Sequence, residues 1–155
     1  MFESKERLAE EIQGLLLTLQ RESGAEEACL VDRKGVLFGT ETAAPSLAAH
    51  LARHTEELFR LPETLKEDGP QEDLFEGWRG EGVLLAFINR KVALALGCPD
   101  PEGAKEAIRQ PLEALSDRLF RWNASYRIDP KGRGLFFGSP SLDLVSVGAA
   151  PGERT

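Results

Sequence analysis

The sequence predicts an α+β domain in which a five-stranded antiparallel sheet is flanked by helices, in the order αββαβββα. Three observations carry this reading. Segments with apolar residues at helical spacing alternate with short apolar runs bounded by polar turns. The short runs come in pairs joined by tight polar turns, which sets neighbouring strands antiparallel. One run, residues 83–88, is apolar throughout, as expected of a central strand covered on both faces.

The elements follow in order. Leu8, Ile12, Leu15, Leu16 and Leu19 form one apolar stripe on a first helix, and Gly24 is placed to cap its C-terminus. Residues 28–31 read as a strand, Asp32-Arg33-Lys34-Gly35 as a turn, and Val36-Leu37-Phe38 as the returning strand. Pro45 and Ser46 open a second helix, expected over 45–60. Its inward stripe is Leu47, Ala48, Leu51, Ala52, Thr55, Leu58 and Phe59, and His50, Arg53, Glu57 and Arg60 lie on the outer side. Pro62 is expected to end it, because the residue before a proline is driven out of helical backbone. An acidic loop over 62–73 leads to three strands: 74–79, 83–88 and 91–96. Asp100 and Pro101 then supply an N-cap and a first helical residue for the last helix. Its stripe is Ala104, Ile108, Leu112, Leu115, Leu119 and Trp122, and Pro111 is expected to kink or split it.

Composition narrows the function classes. The 155 residues are 41% hydrophobic and 29% charged, which suits one folded core. A net charge of −7 disfavours nucleic acid, whose phosphates call for a basic face. No apolar run is long enough to span a bilayer. The charged opening lacks a secretory pattern, so the expected compartment is the cytoplasm. Residues 1–124 read as the domain. Residues 125–155 read as a Gly/Pro/Ser-rich tail whose apolar runs, 135–137 and 142–147, add strands, dock on a partner or stay disordered.

The chemical inventory is small. His50 and His54 stand one helical turn apart, a metal-ligand spacing, but Leu51 replaces the glutamate of a zincin motif and no second ligand cluster is visible. Surface or interface histidines are the expectation. Asp32–Gly35 carries the letters of a GTPase switch motif without any phosphate-cradling loop in the chain, so it reads as a hairpin turn. Cys98 stands beside a helix N-terminus, where thiols acidify, yet Asp100 opposes that effect. No nucleophile–base pair can be assembled, so no enzymatic activity, cofactor or metal is expected.

The element order, Gly24-Ala25 leading into residues 28–31, and the Asp32-Arg33-Lys34-Gly35 hairpin resemble the roadblock family of dynein light-chain type. That family includes the MglB-like bacterial regulators of small Ras-like GTPases. The resemblance runs from Lys5 to Trp122. It implies a roadblock-type sandwich that forms a homodimer through the second helix and the strand after it. It implies a small Ras-like GTPase as partner; charge and the short apolar runs already lead to the expectation of no nucleic acid and no membrane insertion. The partner and dimer interface would draw on His50, Arg53, His54, Glu57 and Arg60 of the helix, and on Leu74, Glu76 and Trp78 of the strand. Two alternatives remain open: a scaffold with no effect on nucleotide, and a small-ligand sensor.

Overall fold

Two neighbouring strands, β3 (Val83–Phe87) and β4 (Val92–Gly97), carry apolar residues on both sides, so helices must cover both faces of the sheet. The computed structural model describes residues 4–40, 46–64, 82–88, 91–126 and 135–138. The remaining elements are α1 (Lys5–Ser23), β1 (Glu27–Asp32), β2 (Gly35–Gly39), α2 (Leu47–Ala52), α3 (Thr55–Thr64), α4 (Pro101–Trp122) and β5 (Leu135–Gly138). A single 3-10 turn, Ala124–Tyr126, follows α4. The sheet order is β2-β1-β4-β3-β5, and every pairing is antiparallel.

Local chemistry explains the element ends. The Ser4 hydroxyl accepts a hydrogen bond from the Arg7 amide at 3.0 Å and starts α1. Gly24, at φ 72°, closes it in the left-handed conformation that other residues resist. The β1–β2 turn is held by Asp32, whose Oδ1 accepts from the amides of Lys34 (2.8 Å) and Gly35 (3.1 Å). Asp100 caps α4 by accepting from the Gly103 amide.

Alternating strand residues sort into two cores. Ala28, Leu30, Leu84, Ala86, Leu94 and Leu96 face Ile12, Leu16 and Leu19 of α1 and Ile108, Leu115 and Leu119 of α4. Cys29, Val31, Leu85, Phe87, Ala93 and Ala95 face Leu47 and Leu51 of α2 and Leu58 and Phe59 of α3. The period-two alternation of β-strands thus feeds two helix layers from one set of strands. On the outside, α1 and α4 are clasped by Arg118, whose Nε donates to Glu11 at 2.6 Å while its Nη1 donates to Asp117 at 2.7 Å. The Glu11 hydrogen bond is the main reason the Arg118 pKa is raised.

Three expectations are corrected, and a fourth lies outside the described residues. The second helix is two helices. Its first part ends at Arg53 and His54, whose amides bond back to His50 and Leu51 in tight three-residue turns, and α3 then runs to Thr64, past Pro62. His50 lies inside rather than on the outer face, and Ala52 is exposed. The last helix is continuous through Pro111. Pro111 and Ala107, the residue whose carbonyl cannot receive the usual helical N–H, both line an open groove between α1 and α4. The expected strand over 74–79, with Leu74, Glu76 and Trp78, lies outside the described residues. On the side away from β4, β3 pairs with β5, which comes from beyond α4.

The small α2 depends on one distant side chain. Glu27, only 3% exposed, turns its carboxylate onto the first turn of α2. It accepts from the amides of Leu47 (2.6 Å) and Ala48 (2.8 Å) and from the Ser46 hydroxyl (3.4 Å). A six-residue helix is too short to be stable alone, so this carboxylate and the apolar contacts below it hold α2 in place. Glu27→Ala is expected to lower stability by about 2–3 kcal/mol, whereas Glu26→Ala, on the exposed neighbour, should stay within about 0.5 kcal/mol. Urea denaturation of both variants checks this, and equal effects would refute it.

Candidate functional site

The β1–β2 turn is tied to both helix layers. Asp32 belongs to the α1–α4 side. While its Oδ1 holds the turn, its Oδ2 accepts a 2.8 Å hydrogen bond from the Tyr126 hydroxyl. Tyr126 is 8% exposed and stacks on Trp122, with ring centroids 6.1 Å apart and planes 6° apart. Trp122 in turn meets Phe38 of β2 edge-on at 5.1 Å. Arg33, the next residue of the turn, goes to the other layer. Its guanidinium lies 5.5 Å from the ring centroid of Phe59 in α3, within reach of a cation–π attraction. Phe59 itself is buried against the sheet, so it is the exposed Arg33 that brings the turn beside the surface of α3.

That surface continues along α2 and α3. Arg53 and Arg60 are exposed, and Arg60 pairs with Glu56 of the same helix at 3.7 Å. His54 is half-buried and faces Glu57 at 3.7 Å. The His50 and His54 rings lie 4.7 Å apart, with His50 beneath. Of the interface residues expected from the sequence, the structure brings Arg53, His54, Glu57 and Arg60 onto this helical surface and withdraws His50 into the protein. Leu74, Glu76 and Trp78 lie outside the described residues. Among the described residues no group of three or more His, Cys, Asp or Glu side chains could hold a metal ion.

Neither cysteine is chemically activated. Burial raises the Cys29 thiol pKa, with Glu27 adding to the shift. Burial first, and Asp100 second, push the Cys98 thiol up to about 12. Both stay protonated at neutral pH, so neither is poised as a nucleophile. Among the described residues no helix is long and apolar enough to cross a membrane. The groups displayed on α2–α3 are guanidinium, imidazole and carboxylate.

Sequence reasoning misses two residues of this site. It reads Arg33 only as part of a turn. It places Tyr126 in the tail, although Tyr126 follows Leu119 and Trp122 at the three- and four-residue spacing of the α4 stripe. That spacing is the available signal. Arg33 has none, because its contact is with a residue far along the chain.

The class defined by this geometry is an α+β sandwich with two helices on one sheet face and a broken helix on the other. Comparison with solved structures makes it specific: the fold is that of MglB, a roadblock-type fold. Myxococcus xanthus MglB matches with a TM-score of 0.51 at 17% identity, over 74% of this chain and 96% of that one. An MglB with tetrameric arrangement gives 0.52 at 24% identity, over 79% and 95%. The gliding protein MglB of Thermus thermophilus gives 0.50 at 22% identity, over 81% and 95%. No protein-family profile and no curated protein matches the sequence.

The Tyr126–Asp32 bond makes a pH-dependent prediction. Burial, then the hydrogen bond to Asp32 and its charge, push the phenol up to about 12. The folded pKa exceeds the ordinary value of about 10. The stabilisation is therefore fully present below about pH 10 and lost as pH rises from there through about 12. Tyr126 is the chain's one tyrosine, so tyrosinate absorbance titrates it directly. Half-ionisation near 12 in the folded protein is expected, and a midpoint near the ordinary value of about 10 would contradict the bond. Tyr126→Phe should cost about 1–2 kcal/mol at neutral pH and abolish the alkaline loss of stability that this group causes.

Proposed function

We propose that this protein is a non-enzymatic, homodimeric regulator that binds a small Ras-like GTPase and modulates its nucleotide cycle, in the manner of MglB-like proteins. The observation that carries the reading is the fold: an MglB-like sandwich that presents a charged surface on α2–α3 and holds both thiols protonated. A regulator of this kind acts by positioning groups of the GTPase itself and needs no nucleophile of its own. In this reading Arg53, His54, Glu57 and Arg60 form the docking and dimer surface, with Leu74, Glu76 and Trp78 continuing it. Arg33, held against Phe59, extends the surface with a third arginine. These cations stand out in a chain of net charge −7 and give a partner a local electrostatic target.

The test is direct. The purified protein is titrated with small GTPases of its host, loaded with GDP or with a GTP analogue, and hydrolysis is followed in parallel. Binding that depends on the nucleotide is expected. Arg53→Glu combined with Arg60→Glu should weaken it roughly tenfold or more without shifting the melting temperature. Phe120→Ala, on the exposed side of α4, should leave it unchanged. No binding in either nucleotide state would refute the proposal, and binding without any change in hydrolysis or exchange would favour a scaffold.

A further inference from the structure

The seam between α1 and α4 is shut at one end and open at the other. Lys5 lies over the Trp122 ring at 6.0 Å, and Arg118 donates to Glu11 at 2.6 Å. The two helices therefore run antiparallel and are clasped where α1 begins and α4 ends. Toward the end of α1 and the start of α4 they leave an open groove of about 790 Å³. Leu15, Ala107 and Pro111, all half-buried, form its floor. Ala107 and Pro111 are compact, so α4 offers little side chain to fill the seam. The α2–α3 surface lies on the other face of the sheet, so the groove is separate from the surface assigned to the GTPase.

The banks of the groove are charged. Glu106 and Glu113 are two helical turns apart and so fall on one line along α4. Glu22 of α1 stands on the opposite bank, and all three are exposed. Among the described residues the lining's one cation is Arg109, which donates to Glu106 at 2.9 Å. Three carboxylates against one guanidinium leave the groove negative. This pattern selects an occupant. An apolar floor about two turns long, roughly 10 Å, takes the apolar stripe of a helix laid along the seam. Carboxylates on both banks call for Lys or Arg on both flanks of that stripe. A second copy is a poor match, because a chain of net charge −7 sets like charge against like.

We propose that the open half of the α1–α4 seam docks a basic amphipathic helix of a second protein. The molecule then holds two partners, one on each face of its sheet.

The probe is a short fluorescent helical peptide whose leucine stripe is flanked by arginines, and its counterpart carries glutamate at every arginine. Anisotropy is read on the full chain with no GTPase present, so the outcome is independent of the functional proposal above. Saturable binding of the basic probe, and none of the acidic one, is expected. Glu22→Lys with Glu113→Lys should weaken it roughly tenfold or more. Glu10→Lys with Glu56→Lys makes the same change in net charge at exposed positions outside the groove. It should alter binding by no more than about twofold. Thr18→Trp fills the groove from α1 with no change of charge and should also abolish binding. The two charge pairs decide the matter if that variant fails to fold. Equal weakening by both charge pairs would reduce the effect to net charge and overturn the proposal, as would binding of both probes alike or of neither. Sedimentation equilibrium of the same samples supplies the last check: self-association that Glu22→Lys with Glu113→Lys alters, and the control pair does not, would give the groove to a second copy and overturn the proposal.

Discussion

The structure depends on one constraint: a central pair of strands that is apolar on both faces. Val92–Gly97 and Val83–Phe87 leave no side of the sheet that water can wet, so each side needs its own helical cover. One cover is strong. α1 and α4 are long, bury regular stripes and are clasped from outside by Arg118 and Glu11. The other is thin. α2 and α3 are short, and the first of them is anchored by a carboxylate that comes from β1. The two faces of the sheet are thus covered unequally.

The β1–β2 turn links the two covers. Asp32 and Arg33 are adjacent in sequence but point into opposite layers, one to Tyr126 and the other to Phe59. Arg33 therefore ties the turn to α3, and Asp32 ties it to the residues that follow α4. Under the proposed function this places the turn, the surface of α3 and the root of the tail in one mechanical unit.

Much of the fold is legible in the sequence because it rests on local signals. The Leu8–Leu19 stripe with Gly24 after it, the Asp32–Gly35 turn and the Asp100-Pro101 cap each declare an element end by side-chain chemistry alone. What escapes a sequence reading depends on tertiary contacts. No proline or glycine marks the break at Arg53-His54. Burial of His50 follows from how a short helix docks, not from its neighbours in sequence. Pro111 is a helix breaker by local rule, yet α4 runs through it beside an open groove. The candidate site is legible in part for the same reason: outward charges on a helix can be counted from spacing, whereas Arg33 reaches the site only through the fold.

The central functional claim is that recognition occurs on the thin α2–α3 layer. Amide hydrogen exchange of the full chain, alone and saturated with a GTP-loaded small GTPase of its host, tests it most directly. Docking on this layer predicts slowed exchange across Leu47–Ala52 and Thr55–Thr64, with α1 and α4 unchanged. Slowed exchange confined to α1 and α4, or no change anywhere, would contradict it.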